Sequence, residues 1–64
     1  MDTNKRDNLK SLRLANNWTQ YDLAKRVGTS QQTICAWEQG IRSPTLKRAK
    51  KLAELFEVPI EFFL

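Results

Sequence analysis

The stretch Thr19-Gln20-Tyr21-Asp22-Leu23-Ala24-Lys25-Arg26-Val27-Gly28-Thr29-Ser30-Gln31-Gln32-Thr33-Ile34-Cys35-Ala36-Trp37-Glu38-Gln39-Gly40 decides the fold. It opens on a Thr-x-x-Asp pattern, in which a hydroxyl caps the free amides of a helix start and an acid three residues on reaches back to the cap. Trp18 just before the cap and Leu23 four residues after it have the spacing of a hydrophobic staple. Leu23, Ala24 and Val27 make an apolar face, and Gly28 is suited to the left-handed residue that ends a helix. Ser30 is a second good N-cap and Gly40 a second good stop. Between them Ile34 and Trp37 share one side. Gln32, Ala36 and Gln39 fall on the opposite side, with Gln31 on the first turn. A solvent face built from glutamine is unusual, because exposed helix faces ordinarily use Lys and Glu. Two short helices are expected, Gln20–Val27 and Gln31–Gln39, joined by Gly28-Thr29-Ser30.

Outward from this unit the pattern stays helical. From about Asn4 to Asn16, Leu9 and Leu12 share a stripe among charged and amide residues. After Ser43-Pro44-Thr45, which offers two candidate caps and a proline, Leu46, Ala49, Leu52, Ala53 and Phe56 recur at helical spacing. Lys47, Arg48, Lys50 and Lys51 occupy the other sides and read as a solvated face. The last segment, Pro59 to Leu64, is apolar and about one turn long, with Pro59 suited to a first-turn position. The expectation is an all-α fold of five short helices in one domain spanning residues 1–64.

Composition narrows what such a domain does. The 64 residues carry eleven Lys and Arg against seven Asp and Glu, a net charge of +4, with no His and one Cys. A core this small leaves little room for a deep substrate pocket. Without histidine there is no His-based nucleophile triad and no plausible protein zinc site, and one cysteine cannot close an internal disulfide. No metal, cofactor or enzymatic activity is expected. The polar start and the lack of any long apolar run point to a soluble cytoplasmic protein rather than a membrane one. A small binding module with a mildly basic surface remains, which favours nucleic acid.

Two helices joined by a short turn containing glycine, the second exposing amides, describe a helix-turn-helix over residues 20–39. The chain resembles the DNA-binding domains of the Cro and lambda-type phage repressors and their small bacterial relatives. The resemblance runs from about Asn8 to Leu64. It rests on Leu12-Arg13, Thr19-Gln20, Leu23-Ala24, Val27-Gly28, Ser30-Gln31-Gln32-Thr33-Ile34, Glu38-Gln39-Gly40 and Pro44-Thr45-Leu46, with matching spacing on to Phe56-Glu57-Val58-Pro59. Three positions depart from the family pattern. Asn17 and Glu57 stand where glycine is common, and Ala36 stands where a longer base-contacting side chain is common.

The resemblance implies a lambda-repressor-like regulator, a repressor in the leading reading, that binds double-stranded DNA as a homodimer on a palindromic operator. Glutamine presents a donor and an acceptor together, matching the adenine edge in the major groove. Gln31 and Gln32 are accordingly the expected base readers, with Thr33 and Ala36 beside them, Ala36 offering a methyl for thymine at best. Gln20, at a helix start where free N–H groups favour an anion, is expected to anchor a phosphate together with Thr19, Gln39, Arg42 and Thr45. Arg13 and Glu38 each project about 40° from the apolar stripe of their helices, so each places a charge at the core boundary. The resemblance implies that they pair, and that the Arg13 guanidinium also faces a phosphate. Cys35 reads as a partly buried filler, and Trp18 and Trp37 as packing residues. The apolar tail Val58, Ile60, Phe62, Phe63 and Leu64 offers more surface than one short helix can bury, and Leu55, Val58, Ile60 and Phe63 are the expected contact with a second copy or a partner. The competing reading is an antitoxin or docking module, in which the same surface binds a toxin or other protein and DNA is secondary.

Overall fold

The computed structural model describes residues 5–63, with side chains from residue 9 onward. Four α-helices follow one another: α1 Lys5–Ala15, α2 Gln20–Val27, α3 Gln31–Gln39 and α4 Leu46–Phe56. The fifth segment is a 3-10 turn, Ile60–Phe63, rather than an α-helix. It begins directly after Pro59, whose carbonyl accepts the Phe62 amide at 3.0 Å, and it is too short to develop the α pattern. Leu64 lies outside the described residues.

The caps set the helix ends. Thr19 and Asp22 form the reciprocal box, with the Asp22 amide donating to the Thr19 hydroxyl at 3.0 Å and the Thr19 amide to the Asp22 carboxylate at 2.9 Å. These bonds to the charged form hold the Asp22 carboxyl below its ordinary range, first through the Thr19 amide and then through its hydroxyl. Ser30 caps α3 and Thr45 caps α4 through the amides of Thr33 and Arg48. Pro44 therefore sits outside α4, not at its first position. Helices α2, α3 and α4 all end on a left-handed residue: Gly28, Gly40 and Glu57. Asn17, in the turn after α1, also has positive φ. Asparagine visits that region readily, whereas Glu57 bears a steric cost of about 1 kcal/mol there.

The core gathers Leu9 from α1, Leu23, Ala24 and Val27 from α2, Ile34 and Trp37 from α3, Ala49, Leu52 and Ala53 from α4, and Phe63 from the 3-10 turn. Leu46 departs from the stripe expected of it and is 67 % exposed. As the first residue of α4 its Cβ tilts back past the helix start, beyond the edge of the core. Helix α3 packs on α1 and α2, while α4 packs on α2 and the 3-10 turn, which also meets α1. An aromatic run joins the end of the chain to the helix-turn-helix. Phe62 meets Phe63 edge-on at 5.6 Å, Phe63 and Phe56 lie 6.4 Å apart, and Phe56 lies 5.5 Å from Trp18. The Arg26 guanidinium covers the Trp18 ring at 4.3 Å.

Candidate nucleic-acid interface

Helix α3 is anchored by burial of Ile34 and Trp37 on one side, which leaves Gln31 and Gln32 exposed on its first turn. Neither glutamine amide is engaged by another group among the described residues. Thr33 is half-buried, and its hydroxyl lies 2.9 Å from that of Ser30. Ala36 is half-buried one turn along. The Gln39 amide donates to the Cys35 sulfur at 3.3 Å, so this pair is tied together on the helix surface.

Beneath this surface lies a polar cluster that holds the three helices in register. Arg13 Nε donates to Glu38 Oε2 at 2.6 Å and Nη2 to Oε1 at 3.2 Å, a bidentate pair joining α1 to α3. Arg13 Nη1 also donates to the Trp18 carbonyl at 2.8 Å, which fixes the turn into α2. With Arg13 7 % exposed and three of its five N–H groups in these bonds, the pair ties the fold together, and two N–H groups remain for the phosphate contact also expected of Arg13. A third bond comes from Gln20, whose Nε2 donates to Glu38 Oε1 at 3.0 Å. The Glu38 carboxylate thus fixes the orientation of the first side chain of α2. Sequence reasoning missed this tie, because Gln20 and Glu38 carry no local pattern that relates them.

The remaining anchor candidates surround α3. Thr19 and Thr45 spend their hydroxyls on caps, leaving the first amides of α2 and α4 as the groups open to an anion. Arg42 is exposed in the loop after α3, beside Ile41, which is also exposed. Arg48, read from sequence as a solvated charge, is instead a strut. Its Nη1 donates to the carbonyls of Val27 at 3.0 Å and Gly28 at 2.7 Å, closing the C-terminal end of α2 from α4. Of the apolar contact candidates, Leu55, Val58 and Ile60 are half-buried against the core. Phe63 is 4 % exposed and belongs to the core itself, so it has no surface to offer a partner. Among the described residues, no helix is long and apolar enough to cross a membrane, and no three His, Cys, Asp or Glu side chains gather as a metal site.

Residues 9–63 match the family described as Helix-turn-helix. An uncharacterized HTH-type transcriptional regulator of Methanocaldococcus jannaschii is 50 % identical over 56 residues, covering 88 % of this chain and 85 % of that protein. A second uncharacterized HTH-type transcriptional regulator, from Archaeoglobus fulgidus, is 45 % identical over 56 residues, covering 88 % and 79 %. The cryptic phage CTXphi transcriptional repressor RstR of Vibrio cholerae is 35 % identical over 52 residues, covering 81 % of this chain and 47 % of its own length. No solved structure matches the chain. The capped α2, the glycine turn and the exposed face of α3 agree with that match: the chain belongs to the Cro/C1-type helix-turn-helix family of DNA-binding transcriptional regulators.

Proposed function

We propose that the chain is a sequence-specific repressor that reads a two-fold-symmetric operator with α3. The observation that carries this reading is the pair Gln31 and Gln32, exposed at the start of a helix whose other side is locked into the core, with their amides uncommitted. A glutamine amide meets adenine N6 and N7 with both of its groups, and can also be placed to read guanine. Around the pair, the helix starts at Gln20 and Leu46 and the Arg42 side chain supply backbone anchors. Thr33 and Ala36 border the bases, Thr33 with its hydroxyl already shared with Ser30. Glu38 orients Gln20, leaving the second hydrogen of Nε2 for a phosphate. The domain is 29 Å in its longest dimension, less than the roughly 34 Å of one DNA turn, so one copy serves one half-site. Two copies on adjacent half-sites raise a footprint otherwise limited to roughly 600–1,000 Å². The half-buried apolar surface of Leu55, Val58 and Ile60 suits contact between them.

The test starts with selection of bound duplexes from a random pool, where a palindrome with half-site centres about 10 bp apart is expected. Gln31→Ala and Gln32→Ala are then titrated against the selected site, its single-base variants and random duplex. Each should cost about 1–3 kcal/mol on the selected site and relax one base pair per half-site. Arg42→Ala should instead weaken all sequences alike. An asymmetric consensus would remove the dimer. Glutamine variants with undiminished discrimination would remove α3 as the reader and favour a docking or toxin-neutralising role.

A further inference from the structure

Beside the turn that leads into α3 lies an open groove of about 550 Å³. One wall is the end of α2, at Val27 and Gly28, and the other is the polar side of α4. Four cations line it, Lys47, Arg48, Lys50 and Lys51, against one carboxylate, Glu54. Their balance is +3, three of the four net positive charges of the whole chain. Arg48 is committed to the carbonyls of Val27 and Gly28. Lys47, Lys50 and Lys51 are exposed, and no carboxylate pairs with any of them among the described residues. Three like charges on two turns of one helix repel one another, and Glu54, three residues from Lys51 and four from Lys50, offsets this only in part.

The position of the groove says what it faces. Gly28 is three residues from Gln31, so their Cα atoms are at most about 11 Å apart along the chain. The exposed lysines of α4 stand along the other wall of the groove whose near wall, at Gly28, lies within that distance of the start of α3. We propose that Lys47, Lys50 and Lys51 form a second, sequence-independent contact with the phosphate backbone of duplex DNA flanking the base pairs read by α3. The Arg48 strut is the positioning residue, because it ties the lysine-bearing helix to the turn that sets α3. The contact adds affinity and salt dependence without adding base preference. This inference rests on α3 facing DNA.

The experiment compares the full chain with a triple variant, Lys47→Gln, Lys50→Gln and Lys51→Gln, and with the corresponding triple Lys→Arg variant. Glutamine is a good helix former, so fold and thermal midpoint should be retained, and the Arg variant controls for helix disturbance at constant charge. Affinity is measured across a salt series for three duplexes: the selected site with long flanks, the same site trimmed to its outermost read base pair, and random sequence. On the long duplex, the magnitude of the slope of log K against log salt should fall in the Gln variant by about 2.7 per bound copy, about 5.4 for two copies on the palindrome, from three released counterions in each at about 0.9 apiece. It should stay unchanged in the Arg variant, with the base preference of wild type retained in both. On the trimmed duplex the difference between wild type and the Gln variant should largely disappear. Equal slopes for wild type and the Gln variant on the long duplex would overturn the proposal, as would an equal loss on trimmed and long duplexes. A wild-type chain with no preference between selected and random duplex would defeat the reading of α3 instead, and the slopes on random duplex would still decide the lysines.

Discussion

Replacing Arg13 with alanine should be among the most damaging single changes in the molecule, and the structure gives its size. The side chains of Arg13 and Glu38 are 8 % and 6 % exposed, so the pair is removed from water on both sides. Arg13→Ala deletes two bonds to the Glu38 carboxylate and one to the Trp18 carbonyl, leaving the carboxylate with only the neutral Gln20 amide. Stranding one member of a buried pair costs about 3–5 kcal/mol. A chain of this length has roughly 3–10 kcal/mol of total stability, so much of it would be lost. Replacing both partners with apolar residues of similar volume, Arg13→Met with Glu38→Leu, should recover most of the loss, since the pair contributes mainly by not being broken. Arg42→Ala, on an exposed loop, should stay within about 0.5 kcal/mol of wild type. Urea denaturation followed by helical circular dichroism, with Trp18 and Trp37 fluorescence as a second probe, reads all of these. Equal midpoints for Arg13→Ala and Arg42→Ala would show that the pair does not hold the fold.

Two further outcomes follow from the helix ends. The Asp22 carboxyl is held below its ordinary range in the folded chain, so its capping contribution is present above the unfolded carboxylate pKa of about 3.9 and fades as pH falls through the lower folded value. Asp22→Asn should accordingly melt below wild type at pH 7, and the gap should close on acidification into that window; a gap independent of pH would show that the charge is not what caps α2. Glu57→Gly should relieve the left-handed strain at the end of α4, less the extra entropy of a glycine in the unfolded chain. The net gain is about 0.5 kcal/mol, a rise of about 2–4 °C in a thermal melt, and a lower midpoint would mean that the Glu57 side chain contributes more than its backbone costs.

Helices α2 and α3 were legible in the sequence to the residue because their ends are written locally: Thr19 with Asp22, Ser30, and the glycines at 28 and 40. Where an end depends on what packs there, legibility falls. Leu46 satisfies the apolar period of α4 yet lies beyond the core, and Phe63, read as surface, is drawn inward between α1 and α4. Periodicity tells which residues share a face but not how far along the helix that face is covered. The same limit applies to the site. The exposure of Gln31 and Gln32 follows from the helix they stand on. The ties of Gln20 to Glu38 and of Arg48 to the end of α2 join residues 18 and 20 apart, and no local pattern announces them.

The meeting of the 3-10 turn with α1 bears on the order in which the chain acquires its structure. Contacts between α2 and α3 close over a short stretch of chain and can form early, at small entropic cost. Seating the 3-10 turn against α1 closes most of the described chain into a ring. Helix α1 is too short to persist by itself in water, so its own order depends on packing against α3 as well as on that closure. The surface presented by α3 therefore stands on the most local contacts of the fold, and the helix that braces it from behind, α1, is itself held partly from the far end of the chain.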